Sequence, residues 1–127
     1  METLPKKRRL YPEHDLQVAC LAWFKMQYPK YERVIFHIPN ERKQSPMAGK
    51  RAKDLGTLAG VADVFLSVAK YDFHGFYIEF KSAKGKQTDE QFYFEEAILK
   101  QGYQYKIIRD FETFKTEIVK YLYFKTI

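Results

Sequence analysis

Gly60-Val61-Ala62-Asp63-Val64-Phe65-Leu66, followed by Tyr77-Ile78-Glu79-Phe80-Lys81, is the stretch on which the reading of this chain turns. Val61 to Val68 has a nearly continuous apolar pattern, as expected of a central strand covered on both faces. Phe76 to Lys81 reads as a second strand. Residues two apart on a strand share a face. Glu79 and Lys81 therefore point one way, and Ile78 and Phe80 point into the opposite layer. Asp63 stands at the beginning of the neighbouring strand. If the two strands pair, a carboxylate from each converges on one point.

The flanking sequence supplies helices. Pro12 suits a first helical position, where its missing N–H is not needed. Leu16, Ala19, Cys20, Trp23 and Phe24 then recur at helical spacing, and Pro29 closes the segment. Val34 to Ile38 is a short β-type run ended by Pro39. Ser45-Pro46 is a cap and proline start for a second helix, with Gly56 as its stop. Thr88-Asp89-Glu90-Gln91 has the form of a capping box, and Gly102 ends the helix it opens. Tyr103 to Arg109 is another strand. Asp110 caps a last helix with Phe111, Phe114, Ile118 and Leu122 on one face. The order α-β-α-β-β-α-β-α predicts an α/β fold with a mixed central sheet flanked by helices.

Composition bounds the class. The chain has 127 residues, 46% of them hydrophobic and 30% charged, which suits one globular domain. A single cysteine, Cys20, excludes an intramolecular disulfide and suits a reducing compartment. No apolar run approaches the ~18 residues of a membrane span. The opening METLPKKRRLYPEH is basic without a following apolar stretch, unlike a secretory signal. An intracellular, cytoplasmic protein with no membrane association is expected. The net charge of +6 arises from 22 basic and 16 acidic residues, and a positive field attracts polyanions such as nucleic acid.

Two carboxylates with few other ligands suit Mg²⁺ or Mn²⁺, hard ions that prefer oxygen and keep several waters. Such an ion polarises a phosphodiester and lowers the pKa of bound water. An adjacent lysine can hold that water or neutralise developing charge. Glu-x-Lys alone is a weak motif, since Glu41-Arg42-Lys43 has the same form. Only Glu79-Phe80-Lys81 lies on a predicted strand beside an acid entering its neighbour. The competing reading makes Glu79 and Lys81 a solvated face of an edge strand. One Cys and three scattered His offer no zinc pattern.

The series His37-Ile38-Pro39-Asn40-Glu41, Gly60-Val61-Ala62-Asp63, Tyr77-Ile78-Glu79-Phe80-Lys81, Thr88-Asp89-Glu90-Gln91 and Gly102-Tyr103 resembles the VRR-NUC family of the PD-(D/E)XK nuclease superfamily. The likeness runs from about Glu13 to the last helix. It implies a restriction-endonuclease-like fold and metal-dependent phosphodiester cleavage by an endonuclease. The chain's own organisation reads as a basic arm over residues 1–11 and one packed unit over residues 12–127, which the resemblance makes a single nuclease domain. Asp63 and Glu79 are similar to the metal-binding acids, and Lys81 matches the motif lysine. Glu13 matches an acid that assists the metal directly or through water. Gln91 matches a glutamine at the start of the helix after the motif strand, and the main-chain carbonyl of Phe80 is a further implied ligand. The superfamily's proline before the first acid is Ala62 here.

The residues themselves leave alternatives for two of these positions. Glu13 shares a helical face with Cys20 and Phe24, yet an acid there also suits a helix N-terminus. Gln91 falls on the buried face of its helix, yet it also completes the capping box with Thr88. His37 and Asn40 follow a strand and could approach substrate, or His37 could be an ordinary satisfied histidine.

Arg42, Lys43, Lys50, Arg51 and Lys53 precede Asp63, and Lys84 and Lys86 follow the motif strand, so basic residues border the site from both sides. They are candidate DNA-phosphate contacts, which supply affinity and position but no sequence reading. Lys6-Lys7-Arg8-Arg9 reads as a backbone-tracking arm or a mobile terminus. Tyr121, Tyr123, Phe124 and Ile127 end the chain with apolar surface that suits a subunit interface. Stand-alone members of the resembled family act as dimers on four-way junctions, so a homodimer acting on branched or Holliday-junction DNA is expected. The alternatives are a nuclease for flap, nicked or duplex DNA, and a catalytically silent nucleic-acid-binding module. A small basic nuclease suits a phage or mobile element in a bacterial host by analogy.

Overall fold

A computed structural model describes residues 12–39 and 45–125. Its elements run α1 (Pro12–Gln27), a short 3₁₀ helix (Pro29–Val34), β1 (Ile35–His37), α2 (Pro46–Asp54), β2 (Val64–Leu66), β3 (Phe76–Phe80), α3 (Asp89–Lys100), β4 (Gln104–Ile108) and α4 (Phe111–Tyr123). The expected helix and strand order is present, with the 3₁₀ turn as an addition. Pro29 ends α1 as expected, but its fixed φ also suits the start of that turn.

The four strands form one sheet in the order β1-β2-β3-β4. β1 and β2 are antiparallel, β2 and β3 are antiparallel, and β3 and β4 are parallel. A parallel pair needs a crossover, and α3 supplies it. β3 is therefore an interior strand, which settles the question of Glu79 and Lys81. Neither lies on a solvated edge. Glu79 is 1% exposed and Lys81 4% exposed.

α1 and α4 cover one face of the sheet. Cys20 and Phe24 of α1 and Phe114, Ile118, Tyr121 and Leu122 of α4 join Val64, Leu66, Phe76, Ile78, Phe80 and Ile108 in one core. Full burial of each large side chain is worth roughly 1.5–3 kcal/mol against exposure. The other face carries α3 over an aromatic layer. Phe65 lies 4.4 Å from Tyr77, ring centre to ring centre, and Tyr77 meets Phe94 of α3 edge-on at 5.2 Å.

Three helix starts have the expected chemistry. The backbone N–H of Ala48 donates to Ser45 Oγ (3.1 Å), that of Gln91 to Thr88 Oγ1 (3.2 Å) and that of Thr113 to Asp110 Oδ1 (2.8 Å). The backbone N–H and the hydroxyl of Thr113 together hold the exposed Asp110 carboxyl below its ordinary pKa.

Two expectations need correction. The strand expected over residues 61–68 is only Val64–Leu66. One further bond continues the pairing at each end, from Ile38 N–H to Asp63 O and from Ser67 N–H to Val34 O. Before that the chain turns at Gly60, whose φ of +90° is incompatible with a strand. Tyr121, read as apolar surface at the chain end, belongs to the core. Its ring lies 4.9 Å from Phe76, and its hydroxyl donates to Val68 O at 2.6 Å. Tyr123 and Phe124 remain exposed, and Ile127 lies outside the described residues.

Candidate active site

The register pairs Val64 with Ile78. One step further, Asp63 stands opposite Glu79. The two carboxyl groups are close enough to bear on each other's ionisation. Asp63 Oδ2 also accepts the backbone N–H of Phe80 at 2.8 Å, which fixes the acid against β3.

Glu79 is held from the α3 side. Gln91 Nε2 donates to Glu79 Oε1 at 2.7 Å, while Gln91 Oε1 accepts the backbone N–H of Thr88 at 2.9 Å. Both readings of Gln91 are therefore realised in one amide. Its oxygen closes the capping box, and its nitrogen reaches the buried acid.

Gly60 brings the Asp63 loop against this helix start. A Cβ on Gly60 would lie 2.4 Å from the backbone carbon and oxygen of Glu90. Only glycine permits both that approach and the positive φ.

Burial raises the pKa of Asp63. The Phe80 N–H and the neighbouring His37 oppose that rise, Glu13 adds to it, and the Glu79 side chain opposes it. A buried and a partly buried carboxyl group side by side disfavour double ionisation unless a cation lies between them. The donor set is all oxygen, which fits a hard divalent ion. Among the described residues no three His, Cys, Asp or Glu side chains are grouped to hold an ion by themselves.

Lys81 comes just past the end of β3, its backbone N–H bonded to Ile108 O at 3.0 Å. Glu13 reaches the end of β3 from α1, where its Oε1 accepts the N–H of Ser82 at 3.3 Å. Its carboxylate thus faces the site. Beside it opens a cavity of about 390 Å³ lined by Glu13, His14, Gln17, His37, Asp63 and Phe80, with Val18 at the rim. His37 lies in this cavity, its Nδ1 2.9 Å from Gln17 Nε2.

Sequence reasoning passed over Gln17 and Arg109, and His14 carried no pattern there. Gln17 lies four residues after Glu13 on one helix face, a spacing that would have marked it. Arg109 had no local signal. Its Nη1 donates to Ser82 O (2.8 Å) and Gly85 O (2.7 Å), clamping the turn before Lys86.

Lys50, Arg51 and Lys53 are exposed on α2, and Lys84 and Lys86 are exposed on the loop after β3. No residue of α2 is buried. Asn40, Glu41, Arg42 and Lys43 and the Lys6-Lys7-Arg8-Arg9 arm lie outside the described residues. Among the described residues no helix is long and apolar enough to cross a membrane.

No family model and no curated protein matches the sequence. The fold does find a likeness. A solved structure, a VRR_NUC domain protein, superposes with a TM-score of 0.76 at 25% identity, over 93% of this chain and 93% of its own. The mixed sheet with its flanking helices is thus restriction-endonuclease-like. A likeness that spans nearly the whole of both chains, on the sheet that brings Asp63 to Glu79, bears out the resemblance to the VRR-NUC family that the sequence motifs carry.

Proposed function

We propose that the protein is a Mg²⁺- or Mn²⁺-dependent DNA endonuclease selective for branched DNA, the four-way junction first among its substrates. The observation that carries the reading is the juxtaposition of the buried Glu79 and the partly buried Asp63 at opposed positions of β3 and the start of β2, with Lys81 just past the end of β3.

Asp63, Glu79 and the Phe80 main-chain carbonyl would hold the ion, with Glu13 completing the set directly or through water. Bound there, a divalent ion supplies polarisation of the scissile phosphodiester and a lowered pKa for nearby water. The chain's own groups do the rest. Gln91 keeps Glu79 oriented toward Asp63. Lys81 places an ammonium where it can orient the attacking water and offset negative charge on the phosphorane-like transition state. In-line hydrolysis then leaves 5′-phosphate and 3′-hydroxyl ends.

Arg42, Lys43, Lys50, Arg51, Lys53, Lys84 and Lys86 hold the flanking phosphates. Cutting both strands of a junction needs two sites, and a C₂ homodimer supplies them.

The test is incubation of labelled four-way junction, flap and linear duplex with and without Mn²⁺, for the wild type and Lys81→Ala. Metal-dependent junction cutting lost in Lys81→Ala is expected, together with saturable Mn²⁺ binding lost in Asp63→Ala. Equal cutting of linear duplex would remove the junction preference and leave the nuclease. DNA binding with no metal response and no cutting would make the protein a silent binding module.

A further inference from the structure

A second cavity, of about 470 Å³, lies away from the carboxylates, between β4, the end of α4 and the 71–73 turn. Gln104 and Lys106 of its wall pair with Phe76 and Ile78, so the cavity opens on the sheet face opposite Glu79, at the level of the residue beside it.

Its walls combine two chemistries. Tyr71 and Phe124 present exposed rings, and Lys106, Lys120 and Lys125 present ammonium groups. Glu117 is the one acid among the lining residues, and it lies 3.8 Å from Lys120. Tyr71 is held in place. Its φ is +51°, and its hydroxyl donates to Tyr123 O at 3.2 Å. Exposed rings beside lysines match an unstacked base and its phosphates, because every base has a π-face and every phosphate a charge.

We propose that this cavity binds an unpaired nucleotide of the DNA substrate, its base against Tyr71 and Phe124 and its phosphates against Lys106 and Lys120. The proposal rests on the nuclease reading above and deepens it. Branch points and single-stranded tails offer such nucleotides, and a continuous duplex does not. The cavity would therefore make the enzyme favour branched over linear DNA without reading sequence.

The experiment compares fluorescein-labelled duplex carrying a single-stranded thymidine tail with the same duplex fully paired, by anisotropy in Ca²⁺. The wild type should prefer the tailed DNA. Phe124→Ala should reduce that preference about tenfold, as loss of one stacking contact does. Lys106→Ala with Lys120→Ala should lower the salt slope of binding to the tailed DNA by about 1.4, at ~0.7 per phosphate contact. Both variants should keep the wild-type melting temperature and Mn²⁺ titration.

An unchanged preference in Phe124→Ala, or an unchanged slope in the lysine variant, would overturn the proposal while leaving the nuclease standing. A change in sedimentation of either variant would make the surface a contact between copies and also overturn it. Failure of the wild type to bind either DNA would overturn this inference and the nuclease reading together.

Discussion

Gln91 offers the most exacting test of how the site is built, because one amide makes two bonds of different worth. Replacing it with methionine keeps roughly its length and removes both. The cap bond to Thr88 N–H is worth about 1 kcal/mol. The bond from Nε2 to Glu79 Oε1, at 2.7 Å between buried groups, is of the kind worth about 1.5–3 kcal/mol when the acceptor is charged. Gln91→Met should therefore cost about 2.5–4 kcal/mol.

Thr88→Ala is the natural comparison. It removes the Thr88 Oγ1 half of the box, about 1 kcal/mol, and leaves Glu79 untouched. With an unfolding entropy of about 2.1 cal/mol/K per residue, the 127-residue chain has about 0.27 kcal/mol/K. The expected falls in melting temperature are then about 9–15 °C for Gln91→Met and about 4 °C for Thr88→Ala. Loss of the group that orients a metal-holding acid should also weaken Mn²⁺ binding about 10–100-fold, and Thr88→Ala should not. Thermal melting by circular dichroism and Mn²⁺ titration measure both quantities. Equal melting temperatures and equal Mn²⁺ affinities in the two variants would refute the claim that Gln91 acts on Glu79.

Other consequences can be measured alongside. Gly60→Ala and Gly56→Ala both force alanine to a positive φ, +90° and +96°, but only Gly60 meets backbone within 4 Å. Urea unfolding should show about 1–2 kcal/mol lost at Gly56 and clearly more at Gly60, with Mn²⁺ binding impaired only at Gly60; matching losses would exclude the close approach as a constraint. Because burial holds the Asp63 pKa above 3.8, the folded state retains a proton that the unfolded state releases. Metal-free stability should therefore fall as pH rises from 3.8 through the raised value. Denaturant midpoints should show Asp63→Asn flattening that slope, and Mn²⁺ affinity should climb over the same range; a slope unaltered in the variant would assign it to other groups. Lys81→Met keeps the aliphatic stem in its buried slot and removes the charge. Cleavage should fall about 10²–10³-fold with Mn²⁺ binding retained, and a rate near that of the wild type would exclude Lys81 from the chemistry.

Much of the fold was legible because its signals are local. Ser45-Pro46, Thr88 to Gln91 and Asp110 each announce a helix within four residues, and Gly102 takes the positive φ of +85° expected after α3. The alternation in Tyr77-Ile78-Glu79-Phe80-Lys81 correctly separates the core residues Ile78 and Phe80 from the acid and the lysine. Those features depend on bond geometry and on side chains a few positions apart, so the amino-acid order contains them.

What the order could not contain is neighbourhood. Glu79 and Lys81 are buried because β4, far along the chain, takes the strand position that would have left β3 an edge. Asp63 meets Glu79 because β2 pairs with β3 in one register, and a slip of one residue would turn one of the acids away. His37 and Gln17 come together across 20 residues, and Arg109 clamps a turn 24 residues before it. Tyr121 looked like surplus surface and fills the core, because only the packed sheet shows that Phe76 and Val68 are waiting for it. Local propensity decides which segments become helix or strand; long-range burial and register decide which side chains share a site, and that free energy exists only once the chain has closed on itself.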